Sequence, residues 1–237
     1  MKHERGNILF LILLAVVLFA ALSYAVTSST NGGGKNASTE TLKTQTASML
    51  QFFDQVDAAL LRMRMTKGLA PENISFIYNF RTYDNTFSTR YDNANCLSDE
   101  CRVFRPDGGG IASRTFETYA TAEPNGWTTT HTKPGYFELL TLQFPYAGTD
   151  LNDVVMKFVG MTPALCTAIN AALDIPAAIT VTGTPVSGNT PANWDNTANV
   201  VSGAQWNSLI GKSTFASVTG GTGVNAYCNI WHVVIAR

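Results

Sequence analysis

The sequence predicts an α+β fold: a long N-terminal helix, first apolar and then amphipathic, packed on a mainly antiparallel β-sheet. An uncharged, proline-free apolar run extends from Asn7 to Val26. A second stretch, about residues 39–67, repeats apolar residues at helical spacing. Beyond Pro71 the texture changes to short β-like runs separated by turn residues. The 237 residues are enough for one good-sized domain after the apolar run, or at most two small ones.

The apolar run covers about 30 Å as a helix, the thickness of a bilayer's hydrocarbon core. It follows a short polar segment, residues 1–6, carrying Lys2 and Arg5. As a secretory signal it has a basic start, an apolar centre and Ser23-Tyr24-Ala25, which fits the small-x-small pattern before cleavage. As a retained anchor, its charges place the N-terminus in the cytoplasm, because the residues after the run, Thr27 to Thr30, are uncharged. Either way the rest of the chain leaves the cytoplasm.

Residues 27–37 hold Gly32-Gly33-Gly34 and are expected to form a flexible link between the apolar helix and a folded domain at 38–237. No Lys-Ser/Thr follows those glycines at the spacing of a phosphate-cradling loop. The domain opens with the amphipathic helix. Leu42, Met49, Leu50, Phe53, Val56, Leu60 and Leu61 form its apolar face, and Ser38 or Thr39 can cap its start, with Glu40 in the first turn. Arg62, Arg64 and Lys67 suit the negative helix end. Gly68 supplies a left-handed cap, and Pro71 prevents resumption.

The strand candidates are Ile74–Phe80, Arg114–Thr121, Tyr136–Phe144 and Val154–Val159, punctuated by Asp107-Gly108-Gly109-Gly110, Pro134-Gly135 and Pro145. A second helix is expected from Thr162 to Leu173, with Thr162 as cap and Pro163 in the first turn. A loop rich in Gly, Pro, Asn and Thr runs to Thr197, and a short helix is expected from Ser202 to Leu209. The last strand, Ala226–Ala236, puts Cys228, Ile230, His232 and Val234 on one face and Tyr227, Asn229, Trp231, Val233 and Ile235 on the other. With apolar residues on both faces it is expected to be central.

All four cysteines follow the apolar run, and an even count in an exported chain favours two disulfides. Cys96 and Cys101 read as a loop closed by a local bridge. Cys166 on a helix face and Cys228 on a core strand make the natural long one. Zinc lacks its pattern: neither a C-x-x-C pair nor a histidine at ligand spacing is present. Asp92, Asp99 and Glu100 read as a solvated acidic loop, since the residues of a calcium loop are missing.

Charged residues are only 14% of the chain and the formal net charge is −1, with no basic patch, so nucleic acid is not expected as a partner. Enzyme signatures are absent: no G-x-S-x-G, H-E-x-x-H or Walker lysine occurs. Of the three histidines, His3 is in the leader, His131 is in a Thr-rich segment, and His232 reads as a packed or hydrogen-bonded strand residue. Carboxylate pairs such as Asp150/Asp153 are expected in loops. No catalytic, cofactor-binding or metal-binding residue is assigned.

A short polar leader ending in Gly6, followed directly by the apolar run, resembles the class III leader of type IV pilins and pseudopilins. The Pro-x-x-Cys helix at Pro163–Cys166, the variable loop and the Cys228-bearing terminal strand resemble the C-terminal disulfide region of type IVb pilins. The resemblance covers the two ends and the long helix, and residues 70–160 carry none of it. It implies cleavage between Gly6 and Asn7, with the apolar helix kept on the mature protein. It also implies a structural subunit that passes from the inner membrane into a surface filament or secretion pseudopilus. Its partners would be copies of itself or other pilin-like subunits, held through residues 7–26. Two positions depart from the family: Asn7 stands first, where Phe or Met is usual, and Leu11 stands fifth, where the family has Glu. The alternative is a single-pass anchored binding domain whose adhesive surface is the sheet or the loop Pro176–Asn199.

Overall fold

A computed structural model of the chain describes residues 6–77, 93–121, 133–142, 153–175, 186–187, 209–219 and 227–236. Before Ser38, side chains are described only at Val16, Phe19, Ala20 and Ser23. The chain divides into two compact units, Met1–Thr44 and Gln45–Arg237.

Helix α1 runs Gly6–Lys67, without the break expected at 27–37. Glycine costs about 1 kcal/mol each relative to alanine inside a helix, but it keeps the N–H that the i→i−4 ladder needs. No proline interrupts the stretch. Once nucleated, a helix adds a hydrogen bond for each residue it fixes, so three glycines in a long run need not end it. Ser38 and Thr39 are consequently interior residues, not caps. In the first unit Glu40 pairs with Lys43 one turn on. The helix ends as expected, at Lys67, with Gly68 at φ +63°.

Within the second unit α1 buries Met49, Phe52, Phe53, Val56, Ala59, Leu60 and Met63. This stripe is rotated slightly from the predicted one. Leu61 is 58% exposed, while Phe52 and Met63 are fully buried. At 100° per residue, Leu61 lies next to Leu60 but past the edge of the face that 53, 56 and 60 define.

The sheet is built from β1 (Phe137–Leu142), β2 (Asp153–Met161), β3 (Val186–Ser187), β4 (Thr214–Thr219) and β5 (Tyr227–Ile235), in the order β3-β1-β2-β5-β4. Every described strand pairing in it is antiparallel. Strand β5 lies between β2 and β4, central as predicted, and its faces divide by period two. His232 stacks on Phe53 of α1 at 4.5 Å between ring centroids. On the opposite face Trp231 joins Leu140, Val155, Phe215 and Val233 in a core cluster. On the α1 side, Phe158 of β2 is ringed by Phe52, Phe53, Phe116 and Phe137.

Two predicted strands form differently. Arg114–Thr121 holds a 3-10 turn at Glu117–Tyr119 and one bridge, Ala120 to Met161. The backbone turns there because Phe116, which bonds Gly135 through its N–H, drops into the aromatic core. Ile74–Phe80 is described only to residue 77, where Ser75 makes a single parallel bridge to Arg102. The side-chain amide of Asn93 bonds the carbonyls of Glu72 and Ile74, so ladder partners are replaced by a side chain. Asp153 opens β2 and is fully buried, not in a loop. Asp92, His3, His131, Asp150 and Phe144 lie outside the described residues, as do the expected helix from Ser202 to Leu209 apart from Leu209 itself and the adhesive loop Pro176–Asn199 apart from Val186–Ser187.

Helix α2, Pro163–Ala172, matches its prediction, although Thr162 makes no side-chain capping bond. Pro163 needs none, since its missing N–H would be an orphan there. From α2, buried Asn170 reaches the outermost strand: its Nδ2 donates to the carbonyl of Ala216 (2.9 Å) and its Oδ1 accepts from the Ala216 N–H (2.7 Å).

Glu117 accepts from the Tyr136 hydroxyl at 2.8 Å and pairs with Lys133 at 3.2 Å. Burial pushes its carboxyl up, but the bonds from Tyr136 and Lys133, the Lys133 charge and the Thr115 hydroxyl outweigh that and hold it below its ordinary value. A depressed carboxylate stabilises the fold above its unfolded-state pKa, and that contribution is lost as pH falls through the folded one. Tyr136→Phe is therefore expected to move the Glu117 carboxyl upward and narrow this acid window. An NMR titration checks it, and an unmoved carboxyl refutes the assignment.

Candidate functional site

The predicted site residues fall into separate places. Gly6 is the first residue of α1, and Asn7 follows it in the first turn with its side chain outside the described residues. Among the described residues no helix is long and apolar enough to cross a membrane. Most side chains of the predicted span 7–26 are outside them. Of those described, Val16 is 62% and Phe19 73% exposed.

Both predicted disulfides form. Cys96–Cys101 closes its short loop with Cα atoms 5.6 Å apart, and Cys166–Cys228 ties α2 to β5 across 6.5 Å. The end of α1 reaches this loop and the turn that follows it. Arg62 donates to the Gly109 carbonyl, and Lys67 donates to those of Asp107 and Glu100. These basic residues thus serve a neighbouring turn as well as the helix end. Asp99, one of the predicted acidic group, bonds Arg102 at 2.5 Å and lies 3.9 Å from Arg105. No group of metal-ligating side chains occurs among the described residues.

A different place gathers polar chemistry. Between α1, the end of α2 and the turn leading into β4 lies a cleft of about 300 Å³. Its apolar wall is Leu50, Phe53 and Leu173, and its polar wall is Asp54, Asp57, Lys212, Ser213, Thr214 and His232. At its base Asp57 Oδ1 lies 2.9 Å from His232 Nε2, and Thr214 Oγ1 lies 2.7 Å from His232 Nδ1. The ring is 1% exposed and Thr214 6%, whereas the Asp57 side chain is 46% exposed.

An ionised carboxylate only accepts, so Nε2 carries the hydrogen toward Asp57. With the imidazole neutral, Nδ1 accepts from the Thr214 hydroxyl; with it protonated, Nδ1 donates to the Thr214 oxygen. Strand pairing sets this up, because Thr214 and His232 are direct cross-strand partners. Asp57 is brought in from a distant part of the sequence by packing of α1 on the sheet. A lone carboxylate on the border of an amphipathic helix carries no sequence signal for such a contact, and His232 was legible only as a packed strand residue.

No family model, curated protein or solved structure matches the chain.

Proposed function

We propose that the chain is a pilin-like structural subunit, assembled with copies of itself or with related subunits through its N-terminal helix. The observation that carries this reading is α1 itself. One helix, Gly6–Lys67, holds both the apolar stretch 7–26 and the amphipathic stretch that buries Phe52, Phe53 and Met63. The exposed Val16 and Phe19 supply apolar surface that a neighbouring copy would cover. The Gly6/Asn7 leader pattern and the Cys166–Cys228 bridge between a helix and a terminal strand support it further. In this reading the chain is not an enzyme and passes from the inner membrane to the cell surface.

The mature N-terminus tests processing: mass spectrometry is expected to find Asn7 first. A terminus at Val26 means ordinary secretion and removes the filament. For assembly, Ala20→Leu preserves hydrophobicity but overfills a contact in which a small residue allows close helix approach. Polymer in sheared surface preparations is expected to fall severely while the membrane-bound amount stays unchanged. If the unmutated strain sheds no polymer containing this protein, the filament reading fails. The cleft at Asp57 and His232 favours a second reading, an anchored extracytoplasmic binding domain.

A further inference from the structure

We infer that the cleft between α1, α2 and the β4 turn binds a small zwitterion of the free amino acid class, with an apolar side chain. The inference does not rest on the filament reading. An ammonium group has three N–H donors and needs three acceptors. The cleft offers three kinds on one set of residues: the Thr214 hydroxyl oxygen, the Asp57 oxygen not bonded to the ring, and the Asp54 carboxylate. Lys212 and Ser213, from the turn preceding β4, supply an ammonium and a hydroxyl suited to a carboxylate. Two acids without Lys212 would suit a plain amine. Both signs in one cleft suit a molecule that carries both. Leu50, Phe53 and Leu173 then offer contact to an apolar side chain, and about 300 Å³ is at the small end of ligand sites.

The buried His232 gives this arrangement its rigidity. Its ring is clamped by Phe53 on one side and by hydrogen bonds at both nitrogens, which hold Asp57 and Thr214 in fixed positions beside the cleft.

Titration calorimetry on the purified full chain tests the proposal with L-leucine, leucinamide and N-acetyl-leucine as probes. L-leucine is expected to bind saturably. Leucinamide lacks the carboxylate and N-acetyl-leucine lacks the ammonium, and each is expected to bind about 10-fold more weakly or worse. Lys212→Met and Asp54→Asn, both on partly open positions, should each weaken L-leucine by a similar factor while leaving the melting temperature of the unliganded protein unchanged. Asp57→Asn should do so too, and if it perturbs folding the other two variants still decide. Absence of saturable binding by L-leucine and by the other apolar amino acids overturns the proposal. Equal binding of leucinamide, or indifference to Lys212→Met and Asp54→Asn, overturns it as well. Neither result bears on polymer formation, so failure here and failure of the filament reading are separate outcomes.

Discussion

Phe158→Ala is expected to lower stability by about 3–5 kcal/mol, the range for emptying a buried aromatic site. Phe158 is fully buried in β2, and its ring centroid lies 6.0 Å from Phe52, 5.8 Å from Phe53, 5.1 Å from Phe116 and 5.6 Å from Phe137. Those four come from α1, the 3-10 turn region and β1, so removing the ring takes contacts from three elements at once. Several pairs are edge-on, the arrangement that adds to plain burial. The surrounding rings are anchored to different backbones, so the site cannot collapse fully onto the void. Urea denaturation with an unchanged m-value measures the loss. A cost under about 1.5 kcal/mol, the scale of a minor core trim, would mean that this aromatic layer is not where the α1 face is held.

Cys228→Ser is expected to cost about 4 kcal/mol and Cys101→Ser about 2, from the loop entropy each bridge removes from the unfolded chain. The sequence separations are 62 and 5. Both replacements leave a hydroxyl in a buried place, since Cys228 is 0% and Cys101 5% exposed, so the difference rests on loop length. Equilibrium unfolding of the two variants, against the oxidised parent, settles the order. An equal or larger cost for Cys101→Ser would place the weight on the loop that the end of α1 reaches instead.

Local signals were legible wherever they coincided with what packing required. The end of α1 at Lys67 and Gly68, helix α2 and the two faces of β5 all follow from periodicity and caps. The disulfide pairs follow because one is a short loop and the other joins a helix face to a core strand. Strand β4 carries a weak signal: TFASVT between Gly211 and the Gly220-Gly221 pair is short, and its alternation is diluted by Ala216 and Ser217. The break expected at 27–37 gave weight to glycine propensity, which a long helix can absorb. At Arg114–Thr121, β-like composition lost to the demand of the core for Phe116. The cleft was the least legible, since Asp57 and His232 are 175 residues apart and only the tertiary fold makes them neighbours.

The grip of Asn170 on Ala216 decides what can add to the β4 side of the sheet. A bare outer strand is a template that any extended segment can extend by one more strand, including the same strand from another copy. Here both backbone groups at the middle of β4 are already engaged by an amide from α2. An incoming strand would have to evict that amide and leave it unpaired in a buried place. At the opposite margin, among the described residues, β3 comprises Val186–Ser187. Strand addition at β4 is therefore opposed from within the fold, which shields this margin from amyloid-like stacking.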